Sequence, residues 1–199
     1  NLELLSSVNA NGTPNTGFLN LDAQRAWQLE LGHRGTSADR RYNWDVTVYN
    51  LEMQKEILAS IINNQGTFQN ANGTRHTGVE AGGGMVLKKG LFAQGGAGRE
   101  DSLQTRVAYT WSRFKFTDDV RAGGAAGPNV LIAKDGNTVA GAPEHSLNME
   151  VRYDHPGGWW IAPNVEWSLS GFYTDYQNTI KNPSYALINL RSGWSIDEH

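Results

Sequence analysis

Residues 145–154 switch between an apolar and a polar face at every step. Leu147, Met149, Val151 and Tyr153 point one way, and Asn148, Glu150, Arg152 and Asp154 point the other. Successive side chains of a strand leave opposite faces, so this segment builds one greasy wall and one ionic wall. The pattern recurs along nearly the whole chain, with aromatic residues near the segment ends. Many strands of this kind, each with a single apolar row, suit a barrel whose outside meets lipid and whose inside is wet. An ordinary antiparallel sheet with one solvated face shows the same alternation.

The chain has 199 residues, of which 39% are hydrophobic, but the apolar residues are dispersed. No stretch approaches the roughly 18 apolar residues of a transmembrane helix. A negative mean hydropathy does not exclude a membrane barrel, because only every second residue need be apolar. The net charge of −3 carries no basic footprint for nucleic acid. Without cysteine there are no disulfides, thiolate metal sites or cysteine nucleophiles. The 23 glycines suit strand bends and loops. Asn1-Leu2-Glu3 lacks the basic and apolar regions of a signal peptide. For an exported protein, that implies a missing or removed N-terminus.

Seven strands follow from the alternation, after a possible stub at Leu2–Leu5 and a loop over 6–20. They are expected at Arg25–Arg34, Tyr42 to about Ile57, Thr74–Leu87, Leu103–Phe116, His145–Asp154, Trp159–Tyr173 and Tyr185–Ile196. In the second, the apolar phase slips after Asn50 to Leu51 and Met53, as at a bulge or where a strand leaves the membrane. Leu51, Lys55, Leu58 and Ile62 also fit helical spacing. Residues 35–40 and 155–158 read as short turns, 63–73 and 117–143 as long loops, and 88–101 as an intermediate turn. Short turns at one end and long loops at the other are the habit of outer-membrane barrels.

Several motifs occur in order. Leu21-Asp22-Ala23-Gln24 leads into Glu30-Leu31-Gly32-His33-Arg34. Asn70-Ala71-Asn72-Gly73-Thr74-Arg75-His76-Thr77-Gly78-Val79-Glu80 follows, then Gly136-Asn137, Ala142-Pro143-Glu144-His145-Ser146-Leu147, and Tyr185 with Leu187, Asn189 and Leu190. Together they resemble the barrel of TonB-dependent outer-membrane receptors of the ferric-siderophore type, over almost all of residues 1–199. Ala23-Gln24 stands where that family has Pro-Glu. The family's plug domain, energy-coupling box and terminal aromatic strand have no counterpart, so the chain is expected to be part of a larger barrel.

The resemblance implies an all-β antiparallel transmembrane barrel segment in the outer membrane of a Gram-negative bacterium. It further implies contact with outer-membrane lipid, coupling to the TonB complex through the plug, and uptake of a small iron chelate as cargo, with no cofactor. Glu30, Asp45, Glu80, Arg106, Glu150, Arg152, Glu166 and Arg191 are the candidate lumen-facing charges. Arg121 and Lys134 in the longest loop are the candidate contacts for an anionic chelate, by charge attraction. Tyr42, Trp44, Trp111, Tyr153, Trp159, Trp160 and Trp167 are candidates for interfacial girdles.

The histidines lack metal-ligand spacing, and the glycine clusters at 82–84 and 95–98 lack a phosphate-loop Gly-Lys-Ser/Thr. No Gly-x-Ser-x-Gly elbow is present. An enzyme is therefore not expected. The rival reading is a soluble all-β carbohydrate- or ligand-binding module with aromatic platforms. The barrel reading expects the apolar row on the convex face and the charged row on the concave face. A seven-stranded piece also has two open edges, which invite aggregation.

Overall fold

The computed structural model describes residues 7–8, 14–15, 21–62, 65–95, 99–122 and 130–195. Its strands are β1 Ser7–Val8, β2 Pro14–Asn15, β3 Arg25–Thr36, β4 Tyr42–Gln54, β5 Ile57–Ile62, β6 Gln65–Asn70, β7 Gly73–Gln94 and β8 Glu100–Phe116. Then come β9 Val120–Ala122, β10 Val130–Ala133, β11 His145–Asp154, β12 Trp159–Ser168, β13 Phe172–Tyr173, β14 Lys181–Asn182 and β15 Tyr185–Trp194. There is no helix among the described residues. Seven strands form one antiparallel sheet in the order β15-β12-β11-β8-β7-β4-β3, each beside its sequence neighbour in the wall. The wall strands have 10 to 22 residues, well above the usual 5–6. Length of this order lets a tilted strand cross a bilayer.

Three of the connections between wall strands, 37–41, 95–99 and 155–158, are short. The other three, 55–72, 117–144 and 169–184, are long and carry the three small hairpins β5–β6, β9–β10 and β13–β14 with their flanking turns, so that short and long alternate without exception. The intermediate turn expected at 88–101 dissolves, because β7 runs on to Gln94. A register shift between Lys89 and Gln94 bulges residues 90–93 over Asp101. Gly90 opens the bulge at φ 63, a backbone conformation glycine adopts without Cβ strain. The Asp101 carboxylate accepts the N–H groups of Leu91 (2.6 Å), Phe92 (2.8 Å) and Ala93 (3.1 Å), and the Tyr153 hydroxyl (2.8 Å). These bonds satisfy amides that the bulge removes from the β7–β8 ladder.

The strand expected over Trp159–Tyr173 ends at Ser168, and Phe172–Tyr173 pairs instead with Lys181–Asn182. The alternative of a helix over 51–62 does not form: β4 runs to Gln54 and β5 follows. Nor is there a bulge at Asn50. The register of β4 is continuous from residue 42 to 54 with β7, and from 43 to 54 with β3. Leu51 and Met53 share a face with Asp45, while Asn50 and Glu52 share a face with Val48. The pattern inverts because the strand has run past its apolar band. The backbone breaks only at Lys55, with φ 58. The stub at Leu2–Leu5 lies outside the described residues, as does Ile196 at the end of the last expected strand.

Register aligns the faces across the wall. One row reads Trp44, Gly83, Val107, Met149, Val165 and Ile188. The next, on the opposite face, reads Asn43, Gly84, Arg106, Glu150, Asn164 and Asn189. Exposure is inverted relative to a water-soluble sheet: Met149 is 40% exposed and Ile188 82%, while Glu150 is 8% exposed. The polar face is the concave one, for its middle holds an open trough of about 580 Å³.

The buried hydrophobic cluster lies away from the wall's apolar face. Leu58, Ala71, Phe116, Val120, Ile132 and Ala133 pack together, joined by Tyr176. They come from the three long connections and the end of β8, so the cluster caps one end of the sheet. Asn and Asp side chains suture the same loops: Asn137 Nδ2 donates to the Tyr176 carbonyl (2.9 Å), and the Thr138 N–H donates to Asn178 Oδ1 (2.6 Å). Asp175 accepts the N–H groups of Thr179 and Ile180.

Two carboxylates tie this cap to pH. Burial pushes the Glu56 carboxyl up, but the His76 ring 3.6 Å away and the hydrogen bond from the Thr74 hydroxyl outweigh it and hold it below its ordinary value. Burial likewise opposes ionisation of Asp175, and the N–H groups of Ile180 and Thr179 overcome it. A lowered folded pKa gives stability that is complete above the unfolded value, about 4 for carboxyls. It is lost as pH falls through the folded value. The cap is therefore expected to be equally protected at pH 7 and 5 and to open below about pH 4. Amide hydrogen exchange over 130–140 and 172–182 across that range checks this; an opening already complete at pH 6 would contradict it.

Candidate functional site

The inward face of β8, β11, β12 and β15 carries the densest polar chemistry of the wall. Arg106 and Glu150 are register partners. The Glu150 carboxylate accepts from the Arg191 guanidinium two strands away. The pair reaches across β12 over Ala162, the register partner of Arg191, whose methyl group leaves the path open. Asn164 Nδ2 donates to Asn148 Oδ1 (2.8 Å), and Asn189 Nδ2 donates to Asn164 Oδ1 (3.3 Å) and Glu166 Oε1 (3.2 Å). Below them Arg152 binds Asp154 at 2.6 Å, and its guanidinium lies 4.2 Å from the Trp160 ring centroid. Gln104 Nε2 donates to Asp154 Oδ2 (3.2 Å).

Of the candidate lumen-facing charges, Arg106, Glu150, Glu166 and Arg191 line the same trough. Arg152 lines an adjoining hollow of about 400 Å³. Glu30, Asp45 and Glu80 stand on the same face of β3, β4 and β7 but outside both hollows. Glu30 accepts from Gln28 at 3.0 Å. Asp45 lies over Gly82, where a Cβ would come within 2.7 Å of its Oδ1. Trp160, expected in a girdle, is on the inward face under Arg152. Its neighbour Trp159 is the one that faces outward, because adjacent residues of a strand point oppositely. The asparagine chain and Asp154 escaped sequence reasoning. Their polarity and parity were visible, but the cross-strand register that joins them was not.

At the long-loop end, Arg121 and Lys134 flank Asp119. Arg121 Nη2 lies 3.3 Å from Asp119 Oδ2. The Asp135 N–H, then Arg121 and Lys134, hold the Asp119 carboxyl below the usual carboxylate range. Arg121 is the register partner of Leu131 in the β9–β10 hairpin, so the hairpin brings both cations to one edge of the cap. No three His, Cys, Asp or Glu side chains come together as a metal site among the described residues.

Residues 3–199 match a family model described as TonB dependent receptor-like, beta-barrel. No curated protein matches the chain. Among solved structures it is similar to the siderophore receptor PiuA from Acinetobacter baumannii, with TM-score 0.66 and 17% identity over 96% of this chain and 25% of that one. It is also similar to the copper transporter OprC, with TM-score 0.58 and 14% identity over 96% of this chain and 26% of that one. The chain thus spans about a quarter of the length of either structure. At these identities the likeness is one of fold.

Proposed function

Since this chain belongs to the TonB-dependent receptor-like β-barrel family, we propose that it forms part of the wall of an outer-membrane receptor for TonB-dependent uptake of a ferric siderophore or similar iron complex. The observation that carries this is the inverted pair of faces. An exposed apolar band around a polar concavity is stable where lipid covers one face and a polar interior the other. The soluble carbohydrate-binding alternative would leave that whole band in water, far beyond the apolar patches that soluble monomers expose. In this reading the long loops are extracellular and the short turns periplasmic, as in outer-membrane barrels. The receptor's plug fills the concavity and couples to the TonB complex of a Gram-negative cell. Arg121 and Lys134 draw the anionic chelate to the cap.

Iron rather than another metal is the finer part of the proposal, and it is tested with the full-length receptor in iron-starved cells. Arg121→Glu with Lys134→Glu is expected to weaken uptake of a radiolabelled anionic ferric siderophore about tenfold, equivalent to roughly 1.4 kcal/mol of binding. The wild-type receptor should restore growth on that chelate and leave copper uptake unchanged. Copper uptake that tracks receptor level, with iron uptake unaffected, would reassign the cargo.

A further inference from the structure

We infer that the outward face of β7 and β8 holds a binding surface for a phosphate-bearing lipid headgroup at the long-loop end of the wall. The inference rests on the outer-membrane reading above and adds a partner to it. The outward rows of these strands are apolar from Met85 and Thr105 up to Val79 and Trp111, which are register partners. The next two rows upward are Thr77 with Arg113 and Arg75 with Lys115. Period two keeps all of these on the face that carries Val107 and Tyr109. Three cations therefore sit within two rows, directly above the apolar band. On the strand before, the same row continues to Glu52.

Three carboxylates border this patch, one of them Asp118, whose Oδ2 lies over the outward side of Gly73, one row above Arg75. Glu52 pairs with Arg75 at 2.5 Å, and Glu144 accepts the Trp111 indole N–H at 3.4 Å. Lys115 Nζ donates to Thr138 Oγ1 at 2.8 Å, which holds the ammonium beside the β8 edge without neutralising it. Of the three cations only Arg75 is ion-paired; Arg113 and Lys115 have no carboxylate within salt-bridge distance among the described residues. Arg113 is exposed on the outside of the wall, where it can serve neither cargo nor plug. The occupant must be anionic at its head, to meet Arg113, Arg75 and Lys115, and apolar below, to lie on Val79, Val48 and Trp111. A lipid with a phosphate headgroup meets both conditions. Guanidinium groups suit phosphate oxygens because they donate in a planar fork.

The test uses the full-length receptor in phosphatidylcholine vesicles with and without phosphatidic acid, read by native mass spectrometry of receptor released into mild detergent. Wild type is expected to retain phosphatidic acid over phosphatidylcholine. Retention should weaken as salt rises, since exposed charges are screened. Arg75→Gln, Arg113→Gln and Lys115→Gln together should reduce it on the order of a hundredfold, and Arg113→Gln alone about fivefold. Exchanging Lys and Arg at these positions, which keeps the charge, should retain most of it and guards against a folding defect. Competition by inorganic phosphate at equal concentration should be weak, because the apolar band contributes. A receptor that inserts but shows no preference overturns the lipid site and leaves the barrel reading intact. A receptor that stays soluble and never enters vesicles overturns the barrel reading instead.

Discussion

Met149→Arg is expected to remove most of the folded receptor from the outer membrane, whereas Asn148→Arg, one residue earlier, leaves it there. Met149 stands in the middle of the outward row, between Val107 and Val165, and is 40% exposed. A guanidinium there faces hydrocarbon, at a cost of about 2–4 kcal/mol near the midplane. That is a large fraction of the roughly 5–15 kcal/mol that holds a typical protein folded. Asn148 faces the concavity, where its Oδ1 accepts from Asn164 (2.8 Å) and Glu166 is its register partner. An arginine at that position meets water and a carboxylate, so the expected change is within about 1 kcal/mol, the size of one lost hydrogen bond. Folded receptor in the outer-membrane fraction, scored by the heat-dependent shift in electrophoretic mobility, reads both variants. Equal yields, or a worse result for Asn148→Arg, would reverse the facing of the sheet.

The wall was legible from sequence because its rule is local. Period two in residues 145–154 is enough to assign every side chain of β11 to a face, and the observed strand has those bounds. Position along the barrel axis was harder to read. The slip at Leu51 and Met53 left a bulge and a strand leaving the membrane both open, and the unbroken register of β4 favours the second. The end of β7 read as part of a turn because of the glycines at 95–98, although the Asp101 carboxylate holds the bulged residues 91–93 until Gln94 pairs again with Glu100. Trp160 looked like a girdle residue by composition, and parity put it under Arg152. The trough was half legible. Each strand announced its inward charges, but Glu150 meets Arg191 at a separation of 41 residues, and nothing in a single strand says which row of a neighbour it will face. The loop cap was the least legible part. Phe116, Val120, Ile132 and Tyr176 show no period, and only their convergence in space makes them a core.

Phe116→Ala is expected to open that cap and spare the wall. Phe116 is 1% exposed and packs edge-on to Tyr176, with ring centroids 5.7 Å apart. It fills the space where Leu58 and Ala71 of the first long connection meet Val120, Ile132 and Ala133 of the second. Truncating a buried phenylalanine costs about 3–5 kcal/mol. Six buried side chains cannot absorb such a loss as a full domain core does, so the cluster should come apart. The β7–β8 ladder does not depend on the ring, since Thr74 pairs with the backbone of residue 116. Limited proteolysis of the full-length receptor in intact outer membranes should therefore cut within 117–144 in the variant and not in wild type, while heat-modifiable mobility persists. Phe92→Ala, at an 83% exposed position on the short-turn end, should leave the loops resistant. Because Val120, Ile132 and Ala133 seat the β9–β10 hairpin, losing the cluster also scatters Arg121 and Lys134. Chelate binding should fall at least as far in Phe116→Ala as in the double charge reversal. A variant whose loops loosen while chelate binding stays at the wild-type level would show that the cap is scaffolding alone, and that the cargo is held elsewhere.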